Sequence, residues 1–169
     1  MIRQRFPYEK KAIRSIFLFL ILMNVLVGCL MFLLVPQEEL LEAFLIIFSI
    51  LVPITVVFGL SPLLTSHEVH ETYIVLRQGW YYRNRIDLSD IISMTRVKNG
   101  PWSYGLHFIG NNTIYVNGRT KDLILLELKG TSSTTGKKRR MTRILFDTSD
   151  NDAFVRSIGR RFDRETDHY

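Results

Sequence analysis

Between Ser15 and Leu64 the chain carries no lysine and no arginine. A soluble domain of ordinary composition does not run fifty residues without a positive charge, so this block dictates the surroundings in which the rest must fold. Its first part, Ser15 to Val35, is 21 residues without any charge, and Ser15 and Asn24 are its clearly polar members. At about 1.5 Å rise per residue, some 20 helical residues cross the ~30 Å hydrocarbon core of a bilayer. Pro36, Gln37, Glu38 and Glu39 then stop the run, and a second apolar stretch follows from Leu40 to Leu64, marked by Glu42, Ser49, Pro53 and Pro62. The connection suits only a tight hairpin. The expectation is two antiparallel membrane helices, 15–35 and 40–64, between a basic tail, 1–14, and a second domain, 65–169.

Charge sets the expected orientation. Residues 1–14 hold five Lys/Arg (Arg3, Arg5, Lys10, Lys11, Arg14) and one acidic residue, residues 15–64 hold three acidic residues, and residues 65–169 hold 17 basic and 12 acidic. The segment charges of +4, −3 and +5 give the net +6 of the 169-residue chain. Positive flanks stay in the cytoplasm and the acidic hairpin loop crosses. The chain is therefore expected in the cell membrane as a multi-pass protein with both termini cytoplasmic. A single cysteine excludes a disulfide-stapled secreted fold. Leu26-Val27-Gly28-Cys29 has the look of a lipoprotein cleavage box, but six further apolar residues follow Cys29 where a mature lipoprotein turns polar.

Polar residues inside the helices are few and spaced. Asn24 and Gly28, four apart, share a helix face suited to close contact and a shared hydrogen bond. Glu42, Ser49 and Pro53 fall near one stripe of the second helix. These five are the expected transmembrane contact residues, used within the hairpin or toward another membrane subunit. Several ionisable groups at depth, which ion transport requires, are missing.

After Pro62 the period changes from helical to alternating. Seven strand-like runs follow: Thr72–Arg77, Trp80–Ile86, Ile91–Val97, Tyr104–Ile109, Thr113–Val116, Leu123–Lys129 and Met141–Phe146. Gly, Asn, Asp and Pro punctuate them, and their spacing suggests an antiparallel sheet curling into a sandwich or barrel. Ser149 or Asp150 then caps a helix with Phe154, Val155, Ile158 and Phe162 on one face. That amphipathic helix needs an apolar surface, and the open end of the sheet supplies one.

Seven strands and a closing helix resemble the pleckstrin-homology-like (PH-like) superfold. The string from His67-Glu68-Val69 through Tyr73-Ile74-Val75-Leu76-Arg77-Gln78-Gly79-Trp80-Tyr81-Tyr82 is similar to the opening hairpin of prokaryotic membrane-anchored PH-like domain proteins. Ile86-Asp87-Leu88-Ser89-Asp90-Ile91 resembles their next junction, and Ile144-Leu145-Phe146-Asp147 with Asp152-Ala153-Phe154 their last strand and helix entry. The resemblance spans residues 15–162. It implies a seven-stranded barrel or sandwich closed by the C-terminal helix, and a non-catalytic, membrane-tethered binding module that often self-associates. It implies no particular ligand.

The chemistry-bearing motifs each meet a plainer reading. Gly130 to Lys138 imitates a phosphate-binding loop, yet five residues separate the glycines where four are required, and Lys138 stands where Ser or Thr must hold magnesium. Lys137, Lys138, Arg139, Arg140 and Arg143 form the strongest charge cluster, a candidate contact for anionic lipid or an acidic partner, with each cation near headgroups worth about 1 kcal/mol. His67, Glu68, His70 and Glu71 crowd the membrane exit as a polar collar without the helical setting of a zinc-protease motif. Trp80, Tyr81, Tyr82, Trp102 and Tyr104 mingle with Arg83 and Arg85; strand propensity and the membrane interface account for them better than nucleic acid does. Asn111-Asn112-Thr113 matches a glycosylation acceptor that a cytoplasmic domain never presents to the enzyme. No catalytic grouping, metal set or cofactor site assembles. The expected role is an adaptor or accessory subunit of a membrane complex acting by protein contact, with anionic-lipid sensing through the basic loop as the alternative.

Overall fold

The computed structural model describes residues 3–100, 102, 104–109, 112–129, 132–134, 137–139 and 142–166; of 109, 132–134, 137–139 and 160–166 it describes the backbone alone. A strand, β1 (Gln4–Phe6), precedes the first long helix, α1 (Lys11–Leu34). Val35 and Pro36 turn the chain into α2 (Gln37–Ile54), which continues through a wide π-helical turn (Thr55–Leu60) into α3 (Ser61–Leu64). Both helical runs are long and apolar enough to span a membrane, and only 6% of each apolar window is buried within the protein. A soluble core helix would be buried; these keep their apolar side chains outward, as lipid requires.

The hairpin closes on small and polar residues. Asn24 Nδ2 donates to Thr55 Oγ1 at 2.8 Å and to Leu20 O at 2.6 Å. Pro53 has no N–H for the carbonyl four residues back, and the helix widens just beyond it. The widened turn lays Gly59 on α1: a Cβ there would stand 2.8 Å from Phe17 Cδ2 and 3.2 Å from Leu20 Cδ1. At Gly28 a Cβ would meet Phe48 and Phe44 at ordinary distances of 3.6 and 3.8 Å. Gly59, which the sequence pattern did not single out, is therefore the tighter crossing point.

Among the described residues, ten further strands follow the hairpin. They are β2 (His67–Val69), β3 (Tyr73–Gln78), β4 (Tyr82–Asp87), β5 (Ile91–Asn99), β6 (Gly105–Ile109), β7 (Thr113–Asn117), β8 (Lys121–Leu128), β9 (Ser132–Thr134), β10 (Lys137–Arg139) and β11 (Arg143–Phe146). The last helix is α4 (Asn151–Thr166). One sheet has the order β1-β2-β3-β4-β9-β10, the other β5-β8-β11-β7-β6. All seven expected strands are present, within a few residues of their expected ends. Three expectations need correcting. The sheets do not close into a barrel, and the stretch expected as a loop around Lys137 contains the β9–β10 hairpin, which extends the first sheet from β4. The second sheet is also not purely antiparallel: β11 inserts between β7 and β8 and runs parallel to β7.

The inner faces share one core. Ile74, Leu76, Tyr82 and Ile86 from the first sheet meet Ile114, Val116, Ile124, Leu126, Ile144 and Phe146 from the second. Each such side chain removed from water contributes about 1.5–3 kcal/mol. β4 shows the pattern that sets the register, with Tyr82, Asn84 and Ile86 buried and Arg83, Arg85 and Asp87 exposed. Asp150 Oδ1 accepts from the Ala153 N–H at 2.8 Å and caps α4. That helix buries Phe154 and Ile158, and the Phe154 ring lies 5.1 Å edge-on from both Phe6 and Phe146.

The tail expected at residues 1–14 is not separate: its described part, from residue 3, feeds this core directly. β1 pairs antiparallel with β2, Gln4 opposite Val69 and Phe6 opposite His67. The strand before the first membrane helix thus pairs with the strand after the second, and both flanks lie at one end of the hairpin. Gly59→Val should lower the unfolding midpoint of the detergent-solubilised chain, costing about 1–3 kcal/mol for overpacking a close crossing. Gly28→Ala should leave the midpoint near the parent value, and equal losses in the two variants would contradict the assignment of Gly59.

Candidate functional site

The first side chains to consider are those at the end of the hairpin, because a helix leaves its last carbonyls without intrahelical partners. Here the N-terminal segment supplies those partners. Tyr8, 2% exposed, donates its hydroxyl to Pro62 O and lies 2.9 Å from Thr65 Oγ1. Lys10 Nζ donates to Leu63 O at 2.6 Å, a cation placed at the negative end of the helix dipole. From the other side the β3–β4 turn donates two backbone N–H groups: Gly79 to Thr65 Oγ1 at 2.9 Å and Trp80 to Ser61 Oγ at 3.1 Å. Burial pushes the Tyr8 phenol up to about 12, against the lowering effect of its bond with Thr65, so the hydroxyl stays a donor at any physiological pH.

Asp147, at the end of β11, ties the N-terminal segment to the second sheet. Its side chain is fully buried. Oδ2 accepts from the Glu9 N–H at 2.9 Å and Oδ1 from the Gly118 N–H at 2.5 Å, while Arg119 Nε stands 4.0 Å from Oδ2. Gly118 is demanded by this contact, because a Cβ there would run into the carbonyl oxygen of Glu9. The Asp147 backbone carbonyl lies 3.1 Å from His67 Nε2, and His67 Nδ1 accepts the Arg77 N–H at 3.2 Å. Together these fix His67 as the neutral Nε2–H tautomer, with both ring nitrogens committed to backbone groups. Burial holds its pKa down at about 3, although the bond to the Asp147 carbonyl works the other way. A histidine so engaged is a structural pin and has no nitrogen left to act as a general base.

Glu68 makes the third tie. It is 4% exposed and is met by Arg3 Nη2 at 2.6 Å, Arg77 Nε at 3.2 Å and His70 Nε2 at 3.2 Å. Burial works to raise its pKa, but the hydrogen bonds from His70 and Arg3 and the charge of Arg77 outweigh it, and the carboxyl lies below its ordinary value. The His67, Glu68 and His70 collar thus divides into one buried pin and one ion-pair cluster. Among the described residues no group of three or more His, Cys, Asp or Glu side chains is placed to hold a metal.

The residues singled out from the sequence separate into distinct places. Asn24 and Gly28 face the partner helix of the hairpin, at Thr55 and at the stacked rings of Phe44 and Phe48. Glu42, Ser49 and Pro53 are exposed and point away from α1, and the Ser49 hydroxyl returns to Ile46 O at 2.7 Å. Arg143 lies at the far end of β11 from Asp147 and pairs with Glu127 at 3.2 Å. Lys137, Lys138 and Arg139 belong by their backbone to β10, at the sheet edge, and their side chains lie outside the described residues, as does Arg140 altogether. Tyr8, Asp147 and Gly118 carried no sequence signal of their role, since Glu9 and Asp147 stand 138 positions apart. No protein-family model, curated protein or solved structure matches the chain, so its function must be argued from this geometry.

Two of the buried titratable groups, His67 and Asp147, have opposite linkage. His67 has a folded pKa of about 3 against an ordinary 6.5, so the unfolded chain binds the extra proton and stability falls as pH drops through that window. Asp147 is pushed up to about 6 from 3.8, mainly by burial, so between those values the folded chain takes the proton and stability rises as pH drops. Asp147→Asn should therefore steepen the loss of stability between about pH 6 and pH 4 in denaturant titrations. Parallel profiles for variant and parent would contradict the opposed pair.

Proposed function

We propose that this chain is a non-catalytic, membrane-anchored PH-like binding module, acting by protein contact as an adaptor or accessory subunit of a membrane complex. The observation that carries the reading is the division of the hairpin's polar residues. Asn24 Nδ2 and Gly28 are engaged inside the hairpin, whereas Glu42, Ser49 and Pro53 remain exposed on its outer face. Pro53 offers no N–H to the carbonyl of Ser49, and the exposed Ser49 hydroxyl lies one turn before it on the same stripe. A partner helix with a small-residue or hydrogen-bonding face fits that stripe.

The non-catalytic part of the reading draws on how the buried polar groups are engaged. His67 and the Asp147 carboxylate are each held by two backbone groups and serve the fold. The PH-like relation is supported by the two sheets on one core and by the C-terminal helix packed against it. β1, β2 and the β9–β10 hairpin are additions to the seven expected strands. The basic flanks favour a cytoplasmic domain with both termini on that side. Self-association through the same stripe is the second form of this reading, and it shares the same contact residues.

Extraction from native membranes in mild detergent, followed by mass determination of the intact assembly, tests the proposal. The expected result is an assembly that contains a second protein beside this 19.8 kDa chain. Ser49→Trp should dissociate it while leaving the circular dichroism of the purified chain unchanged. An integral multiple of the chain mass would replace the accessory role by self-association. A monomer in both parent and variant would overturn the binding-module reading.

A further inference from the structure

Both tryptophans of the chain lie at the end of the β domain that meets the hairpin, and both are exposed. Trp80 is 63% exposed although its backbone N–H is bonded to Ser61 Oγ, inside the last turns of the second membrane helix. The neighbouring Tyr81 ring lies 5.3 Å from Phe58 of the same helix. Trp102 is wholly exposed and Tyr104 is 45% exposed. The described residues on either side of Trp102 are held at the same end by three contacts. Gly100 N–H donates to Thr120 O at 2.7 Å, His107 Nε2 lies 2.7 Å from Tyr104 O, and Gly105 stands opposite Asn117, next to the Gly118 that touches Glu9. A Cβ on Gly105 would sit 3.5 Å from Gln78 Nε2, immediately before the β3–β4 turn. The turn 79–81 and the described residues Gly100, Trp102 and Tyr104 thus share one rim.

We propose that this rim, with Trp80, Trp102 and Tyr104, is embedded in the headgroup layer of the same bilayer that the hairpin crosses, so that the β domain rests on the membrane surface. Length argues for it first. The helical run Gln37–Leu64 has 28 residues, about 42 Å at 1.5 Å each, against a bilayer of ~30 Å hydrocarbon and ~40–45 Å with headgroups. Ser61 therefore falls at headgroup depth, and the turn bonded to it cannot stand clear of the surface. Residue type argues for it second: Trp and Tyr favour this layer, where an apolar ring and a polar N–H or O–H are both accommodated. Charge agrees. Lys11, Arg14, Lys98 and Lys121 are exposed around this end, while Glu9 is turned to the Lys11 N–H and Asp122 is paired with Arg96 and Arg119. The rim is continuous with the membrane span, so lipid is the surface it meets.

Having two tryptophans makes the inference directly measurable. The full chain carrying Trp102→Phe reports on Trp80 alone, and the chain carrying Trp80→Phe reports on Trp102 alone. Each is reconstituted into phosphatidylcholine–phosphatidylserine vesicles, with and without lipids brominated near the headgroup end of the acyl chain. The expected result is a loss of fluorescence in brominated vesicles and a blue-shifted emission for both reporters. Trp102 emission that matches tryptophan in water and is untouched by bromolipid would overturn the proposal. Quenching of Trp80 alone would overturn it as well, because that is the pattern of a domain attached at one turn and otherwise held off the surface. The vesicles contain no other protein, so the outcome does not depend on the accessory-subunit reading.

Discussion

The buried carboxylate of Asp147 is the interaction on which the architecture depends. An ionised group taken from water costs several kcal/mol unless its lone pairs are satisfied. Asp147 is satisfied by backbone N–H groups from two distant segments, Glu9 at the entrance to the membrane and Gly118 at the end of β7. Backbone donors cannot rotate away as side chains do, so the site fixes the position of the chain itself. Glu9 held there places Tyr8 and Lys10 against the carbonyls at the end of the second membrane helix, and places β1 beside β2. The hairpin and the β domain are by this route one body, with the two long apolar helical runs clasped at a common base.

That coupling has a consequence for how the protein could work. A hinge between a membrane anchor and a soluble domain needs a segment with few buried contacts and solvent-exposed hydrogen bonds. The connection after α3 has the opposite character: Thr65, His67, Glu68 and Val69 are all buried, and each polar member among them is hydrogen-bonded. A contact made by the hairpin in the membrane therefore has a rigid route to the sheets, through Ser61 and Thr65 to the β3–β4 turn. The surfaces left open lie on the outer hairpin face and at the strand edges.

The sequence disclosed what lipid and alternation dictate locally. The two helices are legible because hydrocarbon tolerates no unpaired charge, and the seven main strands because their side chains alternate between core and solvent. Segments whose ladders are completed by distant strands were not legible. Gln4-Arg5-Phe6 has no apolar period, and it is a strand because β2 offers it a partner and Phe154 a ring for Phe6. Ser132–Thr134 owes its strand conformation to β4 in the same way. Asn24 was legible from spacing within one helix, while Gly59 was not, since the worth of a small residue depends on the Phe17 ring facing it across the hairpin. Tyr8 and Asp147 are invisible locally for the same reason.

Hydrogen exchange of the full chain in lipid nanodiscs tests the clasp most directly, read at the amides of residues 4–9 against those of β8 in the middle of the second sheet. Slow exchange at Glu9 and along Gln4–Phe6, within the range of β8, is the expected result. Complete exchange of residues 4–9 at the earliest time point, with β8 still protected, would show a free tail beside an independently folded domain and would contradict the single body held by Asp147.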